Sequence, residues 1–385
     1  MALVREIPSD VDVVIVGGGQ AGLGMSYRLS EAGIAHIVLD DRERTGDVWR
    51  ERWDSLVLFT PKRFAALAGS PLPPEADPYP TRLQIADYLE QYAADHAVPV
   101  AHRTRVTRIA RAEPTGRDFR GRFAIQYERD AHPGTITARS VVIASGPFQY
   151  PRVPRVAAGL DDAVAQRHSS AYRTPSDLPA GRIAVVGGGN SAAQLATELA
   201  TGPGAAERTV TMIAPAEPWF IPEKVAGLSV YWPLSLFGIL DSPADSRISQ
   251  YIHSRGDGIL GTEAKKLVRR GQLGLRTSRV VGAAGRALEL ANGERVEVDA
   301  VLWCTGFRAH YPFVAVEGAL TEHGGPRHDR GISPVSGFYW IGLPWQSRLD
   351  SSILHGIDAD ARELTAAIVD ARGTDPALAS ASMGS

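Results

Sequence analysis

The sequence predicts an α/β chain with two parallel-sheet domains, and two observations carry that prediction. An apolar strand that runs directly into a glycine-rich turn and then a helical pattern occurs at residues 11–33 and again at residues 183–204. Each copy is followed by short alternating strands that lead into a final apolar strand. The 385 residues are 44% hydrophobic and 22% charged, with a formal net charge of −2. Such values exclude a disordered tail, a collagen-like chain and a membrane bundle, and nothing in the charge suggests a nucleic-acid surface. The single cysteine, Cys304, excludes an intrachain disulfide framework, a CxxC pair and a multi-cysteine zinc site. It fits a reducing, cytoplasmic setting. No metal is expected.

The elements follow in order. Val11 to Val16 carries no charge after Asp12, which suits a strand covered on both faces. The turn Gly17-Gly18-Gly19-Gln20-Ala21-Gly22 opens a helix with Leu23, Tyr27 and Leu29 inward, stopped by Gly33. His36 to Leu39 is the next strand and ends at Asp40. Short strands are expected at Phe123–Tyr127, Thr135–Ala138 and Val141–Ala144. The pattern then returns: strand Ile183–Val186, turn Gly187-Gly188-Gly189-Asn190-Ser191-Ala192, helix Ala193–Ala200 and strand Val210–Ile213. Ala287–Ala291 and Glu294–Val298 flank Asn292-Gly293, a strong hairpin signal. Ala300–Trp303 is an apolar strand, and a last helix is expected from near Ser351 past Leu364. The expected domains are 1–150, an inserted 151–295, and 296–385 returning to the first. The apolar stretch Leu228–Leu240 is too short to span a membrane, holds Pro233, and reads as buried or pocket-lining. The region from Trp232 to Tyr251 is large enough for a substrate cover. The N-terminus lacks the basic start and apolar run of a signal peptide. The small polar residues 377–385 are expected to fray.

Both glycine turns have the Rossmann-like form. The first glycine permits the tight turn, the second lets a pyrophosphate reach the backbone, and the third lets helix and strand pack closely. The helix start then offers unpaired N–H groups to the anion. Asp40 stands 18 positions after Gly22, where a carboxylate accepts from both ribose hydroxyls. In the second turn Ala192 takes the third glycine place, and the following strand ends Ile213-Ala214-Pro215 without an acid. That absence leans toward NADP(H), with Arg173 and Arg208 as candidates to meet the 2′-phosphate. One economical use of two such domains is to hold FAD on the first and bring a nicotinamide to it from the second.

Further motifs resemble the class B flavin-dependent monooxygenases, most closely the flavin-containing monooxygenase branch with its YUCCA-like members. Asp40 followed by Gly46-Asp47-Val48-Trp49-Arg50 looks like the family's acid-then-GGxW segment, with Asp47 replacing a glycine. Trp53-Asp54-Ser55-Leu56 and Thr60-Pro61-Lys62 resemble its next block. Val141 to Gly146, ending Ala144-Ser145-Gly146, and Leu302 to Phe307, holding Cys304-Thr305-Gly306, resemble its two ATG-type strand ends. Gly187 to Ala192, with Asn190-Ser191, resembles its NADPH turn.

The resemblance implies that NADPH reduces FAD, that dioxygen adds at flavin C4a, and that the oxygen passes to a small organic substrate. The cofactor contacts it implies lie in the two turns, at Gly17, Gly19, Gln20, Ala21 and Gly22, and at Gly187, Gly189, Asn190, Ser191 and Ala192. They continue at Asp40, Asp41, Arg42, Val48, Trp49, Arg50 and Val106. The strand ends add Ala144, Ser145, Gly146, Cys304, Thr305 and Gly306. His168, Arg173 and Ser351 complete the set, Ser351 as a helix start aimed at the flavin or as an ordinary cap. Trp49 covers the flavin ring or serves as core, His168 positions the linker, touches NADP or is a satisfied loop histidine, and Cys304 reads as a small buried residue. No catalytic side chain is named.

Three departures stand out. The fingerprint FxGxxxHxxx[FY] ends as His168 to Tyr172, but Asp162 and Val164 replace its Phe and Gly. Tyr172 stands where Baeyer–Villiger enzymes carry a tryptophan. Phe59 replaces the Asn or His that many relatives place three residues before the lysine. A flavin oxidoreductase without oxygen transfer and a non-catalytic redox sensor therefore stay open. The expected partners are a small substrate and dioxygen, with no nucleic acid and no membrane. The oligomeric state, a homo-oligomer included, is open.

Overall fold

The computed structural model describes residues 6–113, 122–225, 227–256 and 258–373. The fraying expected at 377–385 lies outside them. The first sheet is built around Asp10–Val16, which pairs in parallel with His36–Leu39 on one side and with the long strand His132–Ile143 on the other. Val100–Ala101 extends the parallel edge. His132–Ile143 replaces the two separate strands read from the sequence. Its first half pairs antiparallel with Phe123–Arg129, and its last residues pair in parallel with Phe338–Trp340. One strand thus serves three ladders, and the polar residues Arg139 and Ser140 fall where its second edge passes from the antiparallel partner to the parallel one.

The second sheet has five parallel strands in the order Gly274–Thr277, Arg208–Ala214, Gly181–Val186, Ala300–Trp303, Ala165–His168. An antiparallel meander of Val280–Ala284, Ala287–Leu290 and Arg295–Glu297 packs over it through Leu288 and Leu290. Ala300–Trp303 lies between two strands of this second sheet, so the chain leaves that lobe after residue 303, not at 296 as the sequence boundary had it. All four of its residues are buried, and only a sheet covered on both faces can take such a strand. The two crossings between lobes lie side by side, Tyr150–Pro151 antiparallel to Phe307–Arg308.

Two local expectations change, and one helix is added. The last helix runs Ile357–Gly373, starting beyond Ser351. A helix not read from the sequence, Arg82–Asp95, is fixed by a reciprocal cap: Thr81 Oγ1 accepts from the Gln84 N–H, and Gln84 Oε1 accepts from the Thr81 N–H at 3.0 Å. The stretch Leu228–Leu240 is only partly buried. Tyr231 and Leu240 are inside, while Leu236 and Phe237 are 82% and 74% exposed. Among the described residues no helix is long and apolar enough to cross a membrane.

Candidate functional site

The first glycine turn closes on itself and leaves one side open. The Gly17 N–H donates to the Leu39 carbonyl at 2.8 Å, at a positive φ of 110°. A Cβ at Gly22 would stand 1.9 Å from the Gly17 carbonyl oxygen, and one at Gly17 would stand 2.6 Å from that of Ala144. At Gly19 a Cβ would meet nothing within 4 Å. No side chain caps the helix Gln20–Glu31, so its first N–H groups remain available to an anion. Gln20 Nε2 donates to the Ser352 carbonyl at 3.1 Å, and Ala21 is buried.

Asp40 lies beside this turn at 8% exposure. Burial, reinforced by the Asp41 carboxylate, pushes its pKa up to about 6. Its side chain takes backbone N–H groups from Arg42 and Gly18 and no side-chain donor among the described residues. A buried carboxylate with free acceptor capacity beside an open glycine cradle fits the ribose and pyrophosphate of FAD. The charges around it are committed elsewhere. Arg42 pairs with Glu51 at 2.6 Å, and Arg50 with Asp87 and Glu90 at 2.8 and 2.5 Å. Asp41 and Val48 are exposed, and Val106 is half-buried where its strand shifts register.

The second turn repeats the arrangement. The Gly187 N–H donates to the Ile213 carbonyl at 2.9 Å. A Cβ at Gly187 would stand 2.3 Å from the Cys304 carbonyl oxygen, and one at Gly189 would meet nothing within 4 Å. Ala192 is buried against the sheet, and Ser191 is half-buried at the helix start. Asn190 uses both ends of its amide: Nδ2 donates to the Gly258 carbonyl at 3.0 Å and Oδ1 accepts from the Leu260 N–H at 2.8 Å. It therefore positions the 258–260 loop beside the turn.

The two arginines considered for the 2′-phosphate lie elsewhere. Arg208 starts the strand whose far end, Ala214, flanks the turn, about 20 Å away at a strand's rise, and donates to the carbonyls of Pro203, Pro175 and Leu178. Arg173 donates to the Arg50 carbonyl at 2.8 Å and pairs with Asp54 at 3.0 Å.

The strand ends that close the turns converge. Gly146 and Gly306 both have positive φ, 67° and 76°. Gln149 Nε2 donates to Ser145 Oγ and to the Gly146 carbonyl at 3.1 and 2.8 Å, and Thr305 Oγ1 donates to the Arg152 carbonyl. His168 Nε2 lies 3.0 Å from the Gly306 carbonyl, so that nitrogen carries the proton, while Nδ1 accepts from the Ser170 N–H. Burial holds this imidazole below its ordinary pKa, so it is a neutral brace for the linker. Burial pushes the Cys304 thiol well up, which leaves no reactive thiolate at neutral pH.

Ser351 is buried, and its Oγ accepts from the Ser347 and Arg348 N–H groups at 3.1 and 3.0 Å. It therefore ties a loop rather than starting a helix, and Ser352 is the residue that reaches the first turn. Trp49 packs against the cores of both lobes. Phe59 sits in an aromatic cluster with Phe64 and Tyr231.

Two groups were missed in the sequence because their partners are distant in it. His355 Nδ1 meets the fully buried Asp350 at 2.9 Å, and the His355 ring lies 5.6 Å from Phe64. The carboxylate fixes the proton on Nδ1 and leaves Nε2 as a free acceptor. Asp241 completes a trio of potential ligands there, but the Arg348 guanidinium already bridges Asp241 and Asp350 at 3.2 and 3.1 Å. The second group is Arg52.

A family model described as pyridine nucleotide-disulphide oxidoreductase matches residues 14–231. The chain belongs to that family. Its cofactors are accordingly FAD and NAD(P)H, although the lone Cys304 leaves this member no intrachain dithiol to cycle. An oxidoreductase of Geobacillus kaustophilus designated CzcO-like is 36% identical over 92% of this chain and 97% of its own. The probable indole-3-pyruvate monooxygenase YUCCA8 of Arabidopsis thaliana is 25% identical over 86% of this chain and 83% of its own. Among solved structures, the flavin-containing monooxygenase from Stenotrophomonas maltophilia superposes with a TM-score of 0.75 at 27% identity, covering 94% of this chain and 99% of that one. The resemblance to flavin monooxygenases drawn from the motifs thus holds along nearly the whole chain.

Proposed function

We propose that the protein is an FAD-dependent, NADPH-consuming monooxygenase that places one oxygen atom on a small organic substrate. The observation that carries the reading is the pair of glycine cradles. Each is open only at its second glycine, Gly19 or Gly189, and each is closed by a strand end that leads into the same junction. In this reading FAD lies on the first turn with its ribose on Asp40, and the nicotinamide dinucleotide lies on the second. When bound, the flavin supplies the redox chemistry, taking two electrons from the nicotinamide and passing them to dioxygen. The chain's own residues bind, orient and exclude water. Asp40 and the Gln20 helix start hold one nucleotide, the Asn190 helix start holds the other, and His168 braces Gly306 between them. The tip Ala214-Pro215 carries no carboxylate to repel a 2′-phosphate, which favours NADPH over NADH. The similarity to the Stenotrophomonas enzyme and to YUCCA8 supports oxygen transfer as the outcome.

Phe59 favours a second reading. Its ring packs with Phe64 and Tyr231 and offers no hydrogen bond where many relatives offer one, so reduced flavin could discharge without oxygen transfer. One experiment separates the two. The purified protein is incubated with NADPH, air and candidate heteroatom or ketone compounds, and the products are weighed by mass spectrometry. A product heavier by one oxygen atom supports the monooxygenase. NADPH consumption matched only by hydrogen peroxide supports the oxidoreductase.

A further inference from the structure

Arg52 follows the short helix Asp47–Arg50. Its guanidinium lies 5.6 Å from the ring centroids of both Phe148 and Phe307. The two rings meet edge to face at 5.4 Å, and Phe307 also meets His168 at 5.0 Å. Each phenylalanine follows a strand end that closes a glycine turn, Phe307 directly after Gly306 and Phe148 one residue further on from Gly146. Phe148 follows Ala144-Ser145-Gly146, whose Ala144 carbonyl closes on Gly17. Phe307 follows Cys304-Thr305-Gly306, whose Cys304 carbonyl closes on Gly187. Arg52 therefore stands where the exits from the two nucleotide turns come together.

Its neighbours are engaged and it is not. Arg42 holds Glu51, Arg50 holds Asp87 and Glu90, and Arg82 and Arg173 share Asp54. The Arg52 guanidinium has no hydrogen bond or ion pair among the described residues. Aromatic rings attract its charge but leave its in-plane N–H donors without a proper acceptor. A half-buried guanidinium held this way is costly unless an anion completes it. Phe148 is 63% exposed, so the junction is open to a ligand.

We propose that Arg52 is an oxyanion site, and that the oxyanion it takes is the nicotinamide-side phosphate of the dinucleotide's pyrophosphate, where the ligand leaves the second turn. The assignment rests on the two-dinucleotide reading above. A substrate carboxylate has the same chemistry, but the dinucleotide is the ligand that must leave the second turn toward the flavin, and Arg52 stands beside the strand end that closes that turn.

The test is titration of NADP⁺ into the FAD-loaded protein, followed by calorimetry at two salt concentrations. Arg52→Met keeps the stem and loses the charge. NADP⁺ affinity is expected to fall about ten- to a hundredfold, with a weaker salt dependence and unchanged flavin content. Arg52→Lys keeps the charge without the fork and is expected to fall in between; it also serves as the folded comparison if the methionine variant sheds flavin. Equal NADP⁺ affinity and equal salt dependence in the variants and the parent overturn the proposal. If NADP⁺ binding is untouched while the KM of carboxylate-bearing substrates rises, the anion belongs to the substrate and the dinucleotide assignment is overturned. A parent protein that takes up no nicotinamide dinucleotide at all would instead overturn the two-dinucleotide reading on which the assignment rests.

Discussion

Asp40 is placed to serve a nucleotide at the expense of the empty fold. Its pKa near 6 exceeds the ordinary 3.8 because burial disfavours the charged form. Between those pH values the flavin-free folded state keeps a proton that the unfolded chain has released. Stability therefore falls as pH rises from about 4 to about 6, and the full penalty is present above that range. Asp40→Asn removes the charge. The flavin-free variant is expected to be more stable than its parent at about pH 8, by up to about 3 kcal/mol, with the difference gone below about pH 4. Its flavin retention should drop, because the ribose loses a charged acceptor. Urea unfolding at the two pH values checks the sign, and an equal gap at both refutes the burial argument. The glycines separate in the same way. Gly22→Ala forces a Cβ to 1.9 Å from a carbonyl oxygen and should prevent a stable fold. Gly19→Ala meets nothing in the protein and should fold normally, yet come out colourless because the methyl fills the pyrophosphate's place. A yellow Gly19→Ala protein with full flavin would place the cofactor elsewhere.

Among the elements, those whose signal is local and doubled were readable. Strands His36–Leu39 and Ala300–Trp303 match the sequence reading residue for residue, because each is an apolar run ended by a change of chemistry. Both glycine turns were readable for the same reason. Elements set by distant partners were not. Thr135–Ala138 and Val141–Ala144 looked separate because Arg139 and Ser140 interrupt the run, but one strand passes through and changes ladder there. The helix Arg82–Asp95 carries its cap signal in Thr81 and Gln84, yet its polar face dilutes the pattern. Arg52 and the Asp350–His355 pair have no local signature, since what marks them is contact across the fold. The start of the last helix was misplaced because Asp350-Ser351-Ser352 imitates a cap. Ser351 instead holds two N–H groups inside a buried loop. Ser351→Ala should destabilise the protein by about 1–3 kcal/mol through those orphaned donors. The affinity for flavin, measured below the unfolding range, should change little; a selective loss of flavin would restore the helix-start reading.

Across the whole molecule, the segment after the first turn does not stay in its own lobe. Trp53 and Leu56 are buried in the core of the second lobe, among Leu195, Val185 and Leu302, and Trp49 packs on both cores. Asp54 adds polar ties, its N–H donating to the Arg173 carbonyl at 2.9 Å while its carboxylate pairs with Arg173 and Arg82. Two nucleotide domains joined only by the 150–151 and 307–308 crossings could melt one after the other. Here a strip of the first domain is part of the second domain's interior, so loss of either interior exposes the other. Trp53→Ala opens a cavity in the second lobe and is expected to cost about 3–5 kcal/mol. Because of the shared strip, flavin release, which reports the first lobe, should shift to lower denaturant by the same amount as far-UV signal for the whole chain. Two separated transitions, with flavin release unmoved by the substitution, would show that the lobes are energetically independent and that Trp53 serves the second lobe alone.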